Sequence, residues 1–559
     1  MEKRAIIALA LSFLVFLVFM YIGGKTRQVP PPEPPAEQAA APEPAKPQPE
    51  AAKPVAPLPA APAQPARPAR EVVVDTPLYK AVFTESGASL KSFKLKKYRE
   101  SMPFPTLFSF SLGPVSFEVE RYQTVNDGDG PYKELVRTDP LQALPLSLSW
   151  DGKEVNLPPT LFYEADRTEL SLKDNESGVL RFKAVSPDGV TITKTYKFNA
   201  ATYAFDLEAG LANRSGRPLD GHLDLYLTGG EDPSRKGYLA FAGSVDKRYE
   251  RVAQGKFKEG KSFAGDVHWA GLDEGYFFLA MAPTGKEQNT VTVTEPAGGF
   301  LTANLKTPQV LPPGQQLTTA YTLFFGPKKL EVLKQVGLGL EQVVDFGWFH
   351  ILAMPLLYLL KFLDRIFQNY GWSLVVLTII TRLIFWWPNH KSYKSMKEMQ
   401  KLQPKVAKIR EKYKDDKEAM NRELMALYRT FKVNPMGSCL PMFLQLPVFI
   451  ALYNILGNAI ELRHASFIPT LPFTDIVWLA DLSAKDPLLI TPIVMGATMV
   501  IQQKMTPSPG DPAQAKMMMF LPIIFTFLFL NFASGLVIYW LVNNVLAIVQ
   551  QYFTNKYIT

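Results

Sequence analysis

One cation stands inside an apolar run. The stretch Trp372 to Pro388, WSLVVLTIITRLIFWWP, has the composition of a membrane span, and Arg382 is its only charge. A charged side chain at mid-bilayer costs about 2.5–3.5 kcal/mol on insertion scales, so it needs water or a partner. In a helix running from Tyr370 to Asn389, Arg382 lies roughly 10 Å from the inner end, near the limit of what snorkelling resolves. Two readings compete: a snorkelling arginine in a shallow helix end, or a wet cavity within the membrane, open on one side, with Arg382 as its fixed cation. Around it the apolar runs carry Thr378, one turn before it, and Gln445, Gln502, Gln503, Asn543 and Asn544, but no acid. Such amides and hydroxyls can bond one another between helices, for about 0.6 kcal/mol each. The arginine has no carboxylate to pair with, so water or a passing anion must solvate it. The chemistry available is attraction of an acidic segment, not bond making.

Nothing else in the chain competes as a reactive centre. The five histidines, His222, His268, His350, His390 and His464, are scattered and form no HExxH pair. The single cysteine, Cys439, permits neither a disulfide nor a thiolate metal site. No GxxxxGK[ST] loop exists to cradle a nucleotide. Ser534-Gly535 resembles a nucleophile motif, but no span holds a histidine or second base, and it falls in a predicted outer turn. No catalytic residue, metal or cofactor is therefore expected. The net charge of +8 is localised, so DNA is not an expected partner.

The elements that must position Arg382 follow in chain order. Residues 1–27 open with Lys3 and Arg4, then eighteen uncharged residues from Ala5 to Ile22, long enough to span a bilayer. A cleaved signal peptide is the competing reading, but no A-x-A site follows Met20; a retained anchor with its N-terminus inside is expected. Residues 28–70 are a Pro/Ala-rich spacer, with fifteen prolines between Val29 and Arg70. Residues 71–335 alternate in the strand manner. VLRFKA, the turn Ser186-Pro187-Asp188-Gly189 and VTITKTYKF predict a hairpin in which Lys194 breaks an apolar parity. Similar runs at YAFDLEAGL, HLDLYLTG and TVTVTEPAG predict a large β-sandwich. Glu231-Asp232 reads as a turn pair rather than an acid–base couple.

Residues 336–369 form an interfacial amphipathic helix, kinked at Pro355, with Trp348, Phe349, Leu352, Leu356 and Leu359 as its apolar seam. Residues 370–559 form a five-helix core. It is interrupted by a helical hairpin at 390–433, with Asp415-Asp416 as turn and cap. Between Asn389 and Asn434, thirteen basic residues face six acids, which marks this hairpin as cytoplasmic. Lys401, Lys405, Lys408, Arg410 and Lys412 are either a solvated face or a docking surface for lipid headgroups, ribosomal RNA or a chain in transit. Uncharged runs at Val433–Ile460, Pro487–Gln503 and Met517–Asn555, the last long enough for two spans, complete the core.

NPMGSCLPMFLQLPVFIALY, LLITPIVMGATMVIQQKM, DPAQAKMMMFLPIIFTFLFLNFASGLVIYWLVNN and the Arg382 helix together resemble the YidC/Oxa/Alb family of membrane protein insertases, in its Gram-negative form. The resemblance covers the whole length. It implies a mixed membrane protein of the bacterial inner membrane: signal anchor, periplasmic β-supersandwich and five-helix core enclosing a hydrophilic groove, with both termini cytoplasmic. It implies that Arg382 is the groove cation and that Thr378 and Gln445 line the groove, with Tyr539, Gln502 and Asn543 among the polar groups beside them. Trp540 falls where some relatives carry a substrate-contacting tyrosine. The implied partners are nascent membrane proteins, the Sec translocon with its accessory subunits, the lipid bilayer, and a ribosome or targeting receptor docking on the hairpin, since the basic tail of some relatives is nearly absent. A solute transporter or channel is the alternative; it should show internal repeats, and none is visible.

Overall fold

The computed structural model describes residues 68–557 apart from short internal stretches, the longest being 105–109, 124–129, 434–439 and 506–511. The anchor and nearly all of the Pro/Ala-rich spacer lie outside the described residues.

Alternation dictates the first half. The hairpin forms as its sequence predicts. Ser177–Val185 pairs antiparallel with Val190–Asn199. Gly189, at φ +86°, closes the turn, a backbone that glycine adopts without strain. A nine-stranded sheet grows from this hairpin through Ala204–Asn213, Gln316–Pro327 and Phe277–Pro283 to Arg248–Ala253. Two five-stranded sheets join it, one centred on Tyr79–Thr84 and one on Phe300–Leu311. Named strand pairs are antiparallel except Glu71–Asp75 with Glu169–Ser171. The first five-stranded sheet meets the large one through aromatic rings, Phe83 on Tyr196 at 4.7 Å and Phe93 on Phe325 at 5.4 Å.

Lys194 is where parity seemed to fail, and the fold resolves it. The residue is fully buried, and its Nζ donates to the carbonyls of Gly87 and Ala88, each at 2.9 Å, and to that of Leu146. A lysine in a core position is tolerable when three backbone acceptors replace water. Burial pushes its pKa well below the ordinary lysine value. The Glu231-Asp232 reading is half right. Asp232 Oδ1 does accept from Ser234 N in a tight turn, at 2.9 Å, but its carboxylate is also buried against Lys133 and Arg137.

After the last strand of the large sheets come the helices, with a short antiparallel pair, Ile468–Thr470 and Val477–Leu479, between the sixth and the seventh. The helices are α1 (Leu330–Val336), α2 (His350–Phe367), α3 (Tyr370–Ile384), α4 (Trp386–Lys412), α5 (Lys417–Thr430), α6 (Leu440–Asn458), α7 (Ile490–Met505), α8 (Pro512–Phe529) and α9 (Ser534–Tyr557). The turn predicted at Asn531–Gly535 separates α8 from α9. α2 runs continuously through Pro355, but its seam differs from the expected one. Ala353, Leu356, Leu357, Leu360 and Leu363 pack inward, while Trp348 is 90% exposed. The opposite face, Ile351, Tyr358, Phe362 and Ile366, is apolar and exposed. The helix is thus apolar on two sides, one for the protein and one for lipid, which the single-seam expectation missed. Lys361 leaves both faces to pair with Glu331 at 2.6 Å and Glu461 at 3.1 Å.

By length and composition, Ser534–Thr554 alone among the described helices can cross a membrane unaided, and α3 with α4 passes as a bent pair. The β-domain and the helices are joined in the outer loops. Arg463 Nη2 donates to Arg99 O at 2.6 Å, and His464 Nε2 lies 2.9 Å from Ser101 Oγ.

Asp273 anchors the end of the large sheet. It is fully buried, with Lys328 Nζ at 2.9 Å and Arg251 Nε at 3.0 Å. Burial alone would raise its pKa, but the two cations outweigh burial and hold it at about 2, below its usual 3.8. The stabilisation is therefore present above pH 3.8 and lost as pH falls from there toward 2. Asp273→Asn should lower stability by about 3–5 kcal/mol, because it strands the buried Lys328 ammonium. An unchanged thermal midpoint for the purified variant at neutral pH would contradict this.

Candidate functional site

α3 is built inside out. Its buried face carries Ser373, Thr378, Thr381 and Arg382 beside Gly371, Leu374 and Leu377, whereas Trp372, Ile379, Leu383 and Ile384 are exposed. A helix in lipid can afford that arrangement, since its outward face need only be apolar. The hydroxyls are satisfied within the helix, Thr378 Oγ1 donating to Leu374 O at 2.7 Å and Thr381 Oγ1 to Thr378 O at 2.9 Å. Asn369 caps the helix, accepting from Trp372 N at 3.1 Å.

The expected helix from Tyr370 to Asn389 is not what forms. α3 ends at Ile384, and the chain turns through 63° into α4. Arg382 therefore sits in the last turn of α3, not several turns inside a longer helix. A break of this kind ends the carbonyl ladder of α3, and Pro388, four residues after Ile384, has no N–H to offer its carbonyl. Gln550 Nε2 of α9 ties the start of α4 to the bundle, donating to Trp386 O at 3.1 Å.

The turn also brings Tyr393, early in α4, onto the guanidinium. Arg382 Nη2 donates to Tyr393 Oη at 3.0 Å. The side chain is only 8% exposed, so it does not stand in the open notch the sequence suggested; α4 folds over it. Its partner is a neutral hydroxyl rather than a carboxylate, and its Nε is buried without a hydrogen-bond partner among the described residues. Asn389 Oδ1, Gln550 Oε1 and Gln551 Oε1 are buried in the same unsatisfied condition. These four atoms come from the end of α3, the start of α4 and the inner part of α9. They leave this end of the bundle with more polar capacity than it uses internally.

A second group lies across the bundle. Gln445 Nε2 of α6 donates to Tyr539 Oη of α9, and Asn543 Nδ2 donates to Tyr539 O at 3.3 Å. Arg382 lies within electrostatic range of Tyr539, which is fully buried. Gln445 and Tyr539 are thus joined across two helices near Arg382, whereas Thr378 and Asn543 are buried with bonds to carbonyls of their own helices. Trp540 does not join them. One residue on, it points to the other side of α9 and packs on Phe449 at 5.1 Å and Phe529 at 5.2 Å. Gln502 lies half-buried on α7. That helix is tied to α9 by Asn544 Nδ2 to Thr498 Oγ1 at 3.2 Å and Gln551 Nε2 to Met505 O at 2.8 Å.

Tyr393, Asn389, Gln550 and Gln551 were not singled out from the sequence. The first two were absorbed into the cytoplasmic hairpin or its edge. The paired glutamines in an otherwise apolar run were the available signal.

The hairpin forms as expected, with Asp416 accepting from Glu418 N at 3.1 Å and Ala419 N at 3.0 Å. Met396, Leu402, Val406 and Leu424 are buried. Lys401, Lys405, Lys408 and Lys412 are exposed, and Lys405 lies over the Phe431 ring at 4.2 Å. Arg410 is half-buried and stands apart from that exposed set. Among the described residues no group of histidine, cysteine or carboxylate side chains could hold a metal.

Residues 362–559 match the family described as 60Kd inner membrane protein, and residues 115–359 match that described as YidC periplasmic domain. A protein of Syntrophus aciditrophicus named membrane protein insertase YidC is 43% identical over 100% of both chains. Proteins of the same name from Nitratidesulfovibrio vulgaris (41% identity, 99% of both chains) and Geotalea daltonii (40%, 100% of this chain and 99% of that one) are similarly related.

Tyr393→Phe removes the hydroxyl that holds Arg382. A hydrogen bond to a charged group is worth about 1.5–3 kcal/mol, and the melting temperature in detergent should fall accordingly. An unaltered melt would show that the guanidinium does not depend on α4.

Proposed function

This chain belongs to the YidC family of membrane protein insertases, an inner-membrane family with a periplasmic domain, and from that premise we propose that it inserts client proteins into the membrane without nucleotide, using the polar interior around Arg382. The observation that carries the reading is the buried guanidinium, which among the described residues has a neutral hydroxyl and no carboxylate as partner and an unsatisfied Nε, with three further amide oxygens unsatisfied among the same residues. Such a site is prepared for a polar chain that is not part of the protein. An acidic client segment meeting Arg382 at an effective dielectric near 20 would gain about 4 kcal/mol at 4 Å, several times its value in water. That offsets the barrier of about 2.5–3.5 kcal/mol for a charge at mid-bilayer. The client's apolar segment then leaves sideways into lipid, driven by its burial there.

Movement of α4 is part of this mechanism, because α4 covers the cation. The client's acid replaces Tyr393 as the partner of Arg382. The exposed lysines of the hairpin, at the far end of the same α4, are the natural docking face for a ribosome, a targeting receptor or anionic lipid. The β-domain stands in the periplasm and the hairpin in the cytoplasm, with five spans between, and the Sec translocon is a partner for clients with long outer segments. A transporter reading is not favoured, because the relatives are named insertases.

Arg382→Ala in reconstituted vesicles should reduce insertion of a short acidic-tailed client by about tenfold or more, the factor that only ~1.4 kcal/mol produces. Arg382→Lys should keep much of the activity. Equal insertion by Ala and wild type would refute the role given to the cation.

A further inference from the structure

The outer end of α6 has an unusual cap. The helix closes at Asn458, leaving the Leu456 and Gly457 carbonyls without the amide donors that another turn would bring. Both are satisfied from the β-domain. Tyr276 Oη donates to Leu456 O at 2.7 Å, and Arg235 Nη2 donates to Gly457 O. The guanidinium lies between two rings, its Cζ 3.6 Å from the Tyr276 centroid and 3.9 Å from that of Tyr238. A planar cation held by two aromatic faces and placed at the negative end of a helix is preorganised for this contact. The fit is close from both sides. A Cβ at Gly275 would meet Arg235 Nη2 at 3.0 Å, and one at Gly457 would meet Tyr238 Oη at 3.3 Å.

α6 is also the helix that carries Gln445. From Gly457 to Gln445 is about 18 Å along one continuous helix, with Pro447 between them. The geometry points to Arg235, Tyr238 and Tyr276 as positioning residues: a clasp by which the periplasmic β-domain fixes α6, and through it the Gln445–Tyr539 contact beside Arg382. The soluble domain then does more than stand beside the membrane core; it holds one wall of the polar interior in register. This rests on the insertase reading only in its effect on activity, because the clasp itself can be tested without a client.

The chain's single cysteine, Cys439, directly precedes α6 in the sequence and serves as the reporter of that helix's other end. The full-length protein in liposomes is labelled with a thiol reagent, and insertion of an acidic-tailed client is measured in parallel. Arg235→Ala and Tyr276→Phe should each change the Cys439 labelling rate and lower insertion by about threefold or more, with Arg235→Lys restoring most of both. Should either variant fail to fold, Gly457→Leu wedges the clasp from the helix side and should give the same pair of changes. Wild-type values for both readouts in folded variants would overturn the proposal. So would altered labelling with full insertion, which reduces the clasp to a fastening, or lost insertion with unaltered labelling, which removes α6 as the route. If the wild-type protein inserts nothing, the functional reading fails instead, and the labelling arm still decides whether the clasp holds α6.

Discussion

A guanidinium cannot be neutralised inside a membrane; it can only be given partners. That constraint arranges the core of this protein. Arg382 receives one hydroxyl, from Tyr393, and keeps a buried nitrogen with no partner among the described residues. To deliver the hydroxyl the chain must turn sharply after Ile384. Gln550 of α9 then ties the start of α4 to the bundle by donating to Trp386 O. The amide oxygens of Asn389, Gln550 and Gln551 stay buried without a hydrogen-bond partner among the described residues. The partner that Arg382 does have is a neutral hydroxyl, not an acid.

The second constraint is mechanical. The soluble half is a stack of antiparallel sheets, stiffened by buried charges that are fully partnered, Lys194 by carbonyls and Asp273 by two cations. The two halves meet through directed hydrogen bonds to backbone carbonyls and not through an apolar seam alone: Arg463 on Arg99 O, and Arg235 on Gly457 O. Directional contacts of this kind fix orientation better than apolar packing does. The rigid half therefore supplies a reference frame for helices that must shift around a client.

Much of this was legible in the residues, and for identifiable reasons. Strand alternation has a period of two and survives in any context, so the Ser177–Asn199 hairpin and its turn were readable. The helical hairpin was readable because Asp416 is a strong cap and the apolar seams are sharp. Arg382 stood out because nothing else in the run is charged. The bend after Ile384 was missed although its signal was present: Pro388, at the end of WSLVVLTIITRLIFWWP, has no N–H for the carbonyl of Ile384 four residues before it. The second apolar face of α2 was missed because periodicity reports that apolar residues recur, not which neighbour each face meets. Trp540 was grouped with the groove on resemblance; its ring instead completes an aromatic cluster with Phe449, Phe525 and Phe529.

One dimension has a consequence for the surrounding lipid. α3 has 15 residues and α7 has 16. At about 1.5 Å per residue these cover roughly 22–24 Å, against ~30 Å of hydrocarbon in an ordinary bilayer. Hydrophobic mismatch of that sign is relieved by thinning of the leaflets beside the shorter helices. Acyl chains beside those helices would form a thinner slab than in the bulk bilayer, an effect of helix length that is separate from any charge.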